Sequence, residues 1–125
     1  MRDIYLIPGR YFLSLEEAFG WMAILDPSRT PSRALPLLSD DGGGLLIIDW
    51  ATGAIIDYWH DDPEPSVSHR SLLAFVETVN AWYADGAFDV GSDGGFEWDA
   101  DRVWSIGRDM NPGCDYWRPP YRMTH

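Results

Sequence analysis

Four groups of side chains in this 125-residue chain have the types to act on a substrate or an ion. His60 stands beside Asp61 and Asp62, with His69 nine residues further on. An imidazole among carboxylates suits general acid–base catalysis or a zinc site, but strand neighbours point to opposite faces, and no second cluster completes a ligand set. Asp40-Asp41-Gly42-Gly43-Gly44 offers the glycines of a phosphate loop. No Lys-Ser or Lys-Thr follows, and two carboxylates at the mouth repel phosphate, so the run reads as a tight turn or bulge leading into a strand. Asp89, Asp93, Gly94, Glu97, Asp99 and Asp101 resemble a calcium loop in its fifth and sixth positions only; the third is Gly91 and the twelfth Ala100, so the bidentate glutamate is missing. Cys114 has neither a CxxC partner nor an evident histidine pairing and reads as a structural or incidental thiol. The expectation is a binding protein rather than an enzyme, with no catalytic residues, no metal and no cofactor.

Charge distribution points the same way. The net charge is −11, with fourteen acids against Arg70 alone in residues 34–101, a block of −13. Residues 1–33 carry four acids and four arginines, and residues 102–125 carry two acids and four arginines. Such a block disfavours nucleic acid and anionic membranes and draws basic proteins at a rate that falls with salt. The single cysteine cannot form an internal disulfide, the N-terminus has no basic-then-apolar signal pattern, and no apolar run approaches the ~20 residues of a membrane span. A cytoplasmic protein is expected. Seven tryptophans are many for this length. Trp50 and Trp59 flank the acidic stretch, where aromatic residues serve either as interface anchors or as shields for their own sheet edge.

The elements that must position these groups are legible in outline. Ile4–Ile7 and Tyr11–Leu13, split by Pro8-Gly9, read as an opening hairpin. Ser14 and Glu17 form a capping box for a helix over about Leu15–Leu25, stopped by Asp26-Pro27. Leu35–Leu38, Leu45–Asp49 and Ala54–Trp59 are strand candidates, the last two joined by a turn in which Gly53 supplies a positive φ. Leu45–Ile48 is apolar on both alternating faces, as for a central strand covered by helices. Ser68 or Ser71 caps a second helix with Leu72, Phe75, Val76, Val79 and Tyr83 at helical intervals, and Gly86 ends it. Beyond Phe88, Phe96–Trp98 and Arg102–Ile106 read as a final hairpin around Asp99-Ala100-Asp101, followed by a proline- and aromatic-rich tail. The fold class expected is α+β: a single domain over 1–125, with a central sheet of about five to seven mostly antiparallel strands packed against two main helices.

The order of these pieces resembles the SUKH superfamily, which holds fungal cell-wall assembly regulators and bacterial immunity proteins of polymorphic toxin systems. The resemblance rests on YFLSLEEAF (11–19), LPLLSDDGGGLLIIDW (35–50), Gly53 and the following strand, WHDDPE (59–64) and SLLAFVETVNAWYADGAF (71–88), and covers about residues 5–88. Family members usually begin with a helix carrying a proline-aspartate-tyrosine segment; here the resemblance starts after it, so a shortened or replaced N-terminal layer is expected, with residues 89–125 as an extra hairpin and tail. The resemblance implies an α+β fold, no cofactor and a binding role, often inhibition of a nuclease-type toxin. The expected partner is a basic protein, with neither nucleic acid nor membrane, and the chain itself a monomer or weak homo-oligomer. Asp40, Asp41, Trp50, Trp59, Asp61 and Asp62 are the expected contact residues. The alternatives are a regulatory or scaffold domain that recruits a basic partner, and a small metal-dependent hydrolase built on His60.

Overall fold

The computed structural model describes residues 5–7, 10–40, 42–59, 65–90 and 96–117. Six antiparallel strands form one sheet in chain order: β1 (Tyr5–Ile7), β2 (Arg10–Phe12), β3 (Ala34–Ser39), β4 (Gly44–Asp49), β5 (Ile55–Trp59) and β6 (Ser66–His69). A separate two-stranded hairpin pairs β7 (Phe88–Val90) with β8 (Phe96–Trp98). Among the described residues there are also three helices, α1 (Leu15–Ile24), α2 (Leu72–Asp85) and α3 (Ala100–Met110), followed by a 3-10 turn at Asp115–Trp117. This is the expected α+β class with a central antiparallel sheet, with a third helix added.

The period-two geometry of strands divides the side chains of β4 between two cores. Leu45 and Ile47 point to a small core with Ala34 and Tyr58, to which α1 contributes Trp21. Leu46 and Ile48 point the other way, into the larger core with Leu38, Ile55, Phe75, Val79, Trp82, Val103, Trp104 and Trp117. The sheet is thus the middle layer, with α1 on one face and α2 and α3 on the other.

Helix boundaries follow from their caps. Ser14 Oγ accepts the Glu17 N–H at 3.1 Å while Glu17 Oε1 accepts the Ser14 N–H at 3.0 Å, completing the capping box. For α2 the cap is Ser71, whose Oγ accepts the Ala74 N–H at 3.0 Å, and Gly86 at φ 77° closes the other end.

Two parts of the fold depart from expectation. Arg102–Ile106 is helical, and β8 pairs back onto β7 rather than forward. Asp99 Oδ1 accepts the Arg102 N–H at 3.3 Å as the cap of α3, and Val103, Trp104 and Gly107 recur on one buried face. The β-branched and aromatic residues that suggested a strand are packed at helical spacing instead. The described part of the aromatic tail is core: Tyr116 and Trp117 are buried, and Trp117 lies so close to Gly107 that a Cβ there would sit 2.5 to 2.8 Å from three ring atoms. β6 also went unmarked, because its Ser-Val-Ser-His sequence buries small polar groups rather than an apolar stripe.

Candidate binding surface

The acidic, glycine-rich stretch becomes the turn between β3 and β4. Asp40 Oδ1 accepts the N–H groups of Gly42 at 2.9 Å and Gly44 at 2.8 Å, while the Asp40 N–H donates to the Gly44 carbonyl at 3.1 Å. The side chain thereby closes the turn as an Asx motif. Trp59, opposite Gly44 in the β4–β5 register, lays its ring over the same turn; a Cβ on Gly44 would meet that ring at 3.0 Å and would collide with the Asp40 carboxylate. The glycine here makes room for a carboxylate and an indole.

This arrangement sorts the expected contact residues. Asp40 and Trp59 come together at one end of the sheet. Trp50 lies at the opposite end, past the six residues of β4, or about 20 Å away at ~3.3 Å per residue. It sits in a turn closed by the Asp49 carboxylate, which accepts the Ala51 N–H at 3.0 Å, and by Gly53 at φ 83°. Trp50 is 51% exposed. Asp41, Asp61 and Asp62 lie outside the described residues, as does His60. The described members of the expected contact set therefore divide between a Trp59 end, with Asp40, and a Trp50 end.

Other carboxylates gather elsewhere. Asp89 and Glu97 are paired across the β7–β8 hairpin and exposed; nearby in sequence, Asp85 meets Arg102 at 2.9 Å, and Asp99 caps α3. Of the positions that suggested a calcium loop, Asp89 and Glu97 are paired across strands, Asp99 caps α3 and Asp101 lies in its first turn, whereas Asp93 and Gly94 lie outside the described residues; among the described residues no group of three or more His, Cys, Asp or Glu side chains is placed to hold a metal ion. No described helix is long and apolar enough to cross a membrane.

Sequence reasoning missed the polar groups within the larger core. Asp57 is buried and meets Arg10 Nη2 at 3.3 Å; it shares strand parity with the core residue Ile55, the one signal that could have placed it inside. His69, 2% exposed, packs its ring edge-to-face against Phe75, Trp82 and Trp117 at centroid distances of 5.1, 6.3 and 5.9 Å. Its Nδ1 bonds to Ser68 Oγ at 2.8 Å, and its Nε2 has no hydrogen-bond partner. Burial pulls the His69 pKa down from 6.5 to about 4, against the opposing pull of the Asp57 carboxylate. A neutral imidazole enclosed by aromatic rings has no route to a substrate.

An open hollow of about 490 Å³ lies between β6 and the segment after α3, lined by Ser66, Val67, Arg70, Pro112 and Cys114 among others. Arg70 Nη2 donates to the Pro112 carbonyl at 3.3 Å. Burial pushes the Cys114 thiol up, with Arg70 acting in the opposite sense, which disfavours the thiolate a nucleophile requires. The described surface combines exposed carboxylates such as Asp89 and Glu97 with exposed aromatic residues such as Trp50. No family model, curated protein or solved structure matches this chain.

Proposed function

We propose that the chain is a SUKH-like immunity protein, not an enzyme, that binds and neutralises a basic protein toxin, such as a nuclease, by covering it with an acidic surface. The observation that carries this reading is the block of −13 over residues 34–101. A nuclease exposes a cationic channel for its nucleic acid, and a dense carboxylate surface is complementary to it. Asp89 and Glu97 on the β7–β8 hairpin are exposed carboxylates of that block. Asp61 and Asp62, two and three residues after Trp59 in the sequence, add to the charge of the block. Asp40 contributes to the field, but its carboxylate is committed to the turn, so replacing it tests folding as much as binding.

The test is co-expression with the product of the neighbouring gene, followed by pull-down and rescue of growth. The proposal expects a toxic neighbour, a stable complex, and loss of rescue when Asp61, Asp62, Asp89 and Glu97 are reversed to lysine. A non-toxic neighbour with no complex overturns the immunity reading. Equal loss from reversing exposed arginines such as Arg108 overturns the acidic surface as the contact.

A further inference from the structure

The hollow beside β6 has two walls that the fold ties together. One is β6 with its flanking residues Pro65 and Arg70. The other starts at Asn111, whose carbonyl accepts the Cys114 N–H at 3.2 Å across Pro112-Gly113, with Gly113 at φ 83°. Proline followed by a glycine at positive φ, at the centre of a hydrogen-bonded four-residue turn, is the type II pattern, so the local sequence sets this wall. The Trp117 indole, bonded to the Ser68 carbonyl at 2.7 Å, holds the second wall against the first. The space between them, about 490 Å³, is the size of a small-molecule site.

Pro65, Val67 and Pro112 give the hollow apolar surface, while Arg70 and Asp115 give it one charge of each sign. Arg70 is the sole arginine or lysine of residues 34–101. A guanidinium has five N–H donors; among the described residues that of Arg70 makes one hydrogen bond, from Nη2 to the Pro112 carbonyl at 3.3 Å. Arg70 and Asp115 form no ion pair with each other or with another described residue. Both nevertheless lie near one point: burial raises the Cys114 pKa, and the Arg70 and Asp115 charges act on the same thiol in opposite senses. Opposite charges that share a hollow without pairing leave two attachment points of opposite sign. A simple anion meets Arg70 but is repelled by Asp115 and by the net −11, and a simple cation is drawn to carboxylates all over the acidic block and gains nothing from Arg70. A zwitterion is neutral overall and matches both. We infer that the hollow binds a small zwitterion, an amino acid or dipeptide with apolar side chains, its carboxylate on Arg70, its ammonium on Asp115 and its apolar part against Val67 and the prolines.

The inference is independent of the toxin reading. Titration calorimetry of the full chain with L-leucine and with L-leucyl-L-leucine tests it, the two probes separating a free amino acid from a peptide. At least one is expected to bind saturably, and isocaproate, which lacks the ammonium, and isoamylamine, which lacks the carboxylate, are expected to bind about tenfold more weakly or worse. Arg70→Gln and Asp115→Asn alter exposed side chains and are expected to give folded chains by circular dichroism. In Arg70→Gln the advantage of the zwitterion over isoamylamine is expected to vanish, and in Asp115→Asn its advantage over isocaproate. A general disturbance of the hollow would weaken all the probes together. Failure of both zwitterions to saturate by about 10 mM overturns the inference. So does a single-charge analogue that binds as tightly as the zwitterion, or binding that neither variant changes. Loss of rescue on reversing the carboxylates of the acidic block is a separate readout, so the two proposals fail independently.

Discussion

At the scale of single residues, His69 sets a pH dependence that the surface charges do not. Its folded pKa of about 4 lies below the ordinary 6.5, so the unfolded chain binds the extra proton first as pH falls. The stability this residue contributes is therefore complete above pH 6.5, declines through the window from 6.5 to 4, and is absent below it. At ~1.4 kcal/mol per pH unit the loss over the window is about 3 kcal/mol. Urea unfolding followed through tryptophan emission is expected to show that slope, and His69→Phe, which keeps the ring edges packed, is expected to flatten it by that amount relative to wild type. An unchanged slope in the variant would place the pH dependence in the carboxylates instead. The nearby Arg10–Asp57 pair shows how an ion pair is tolerated in this core: each ion faces its counterpart at 3.3 Å, whereas a protonated His69 gains from Asp57 a pull too weak to offset its burial.

At the scale of elements, α3 decides how the larger core closes. Gly107 faces Trp117 at a separation that leaves no room for a methyl group, so Gly107→Ala is expected to cost about 1–3 kcal/mol by overpacking despite its better helix propensity. Asp99→Ala at the cap is expected to cost ~1 kcal/mol. Chemical denaturation of the two variants checks the order, since the packing defect should exceed the loss of the cap. These same features show what could be read in advance. Helices α1 and α2 announced themselves because caps and apolar spacing agree, as at Ser14 with Glu17 and at Ser71 with Phe75 and Val79. The central strands were legible because Leu45–Ile48 is apolar on both faces. Helix α3 was not, because Val103, Trp104 and Ile106 favour strands locally and the helix is selected by packing against α2 and Trp117. The separation of Trp50 from Trp59 was hidden for a different reason: residues nine apart in sequence lie at opposite ends of a hairpin only when the register between β4 and β5 is known.

At the scale of the whole molecule, a sheet with helices on both faces carries its charge very unevenly. The carboxylates of residues 34–101 repel one another more in the folded state than in the expanded chain, so added salt is expected to raise the thermal midpoint by a few degrees, on the order of 1 kcal/mol. Scanning calorimetry from about 0.05 to about 0.5 M sodium chloride tests this, with a flat response indicating that the acids are already compensated locally. The tryptophans divide by role rather than by position in the chain. Trp82 and Trp117 are interior and donate their indole N–H groups to the carbonyls of Val103 and Ser68, whereas Trp50 is left in the open.

The hydrogen bond from the Trp117 indole to the Ser68 carbonyl, 2.7 Å long and spanning 49 residues, also bears on how the protein is made. β6 is an edge of the main sheet, and its Ser68 carbonyl is occupied by a residue that leaves the ribosome long after the strand itself. Until Trp117 is in place, the Ser68 carbonyl on that margin lacks this partner and the space against Gly107 is unfilled. For that interval its exposure to strand pairing with other chains is set by the pace of translation.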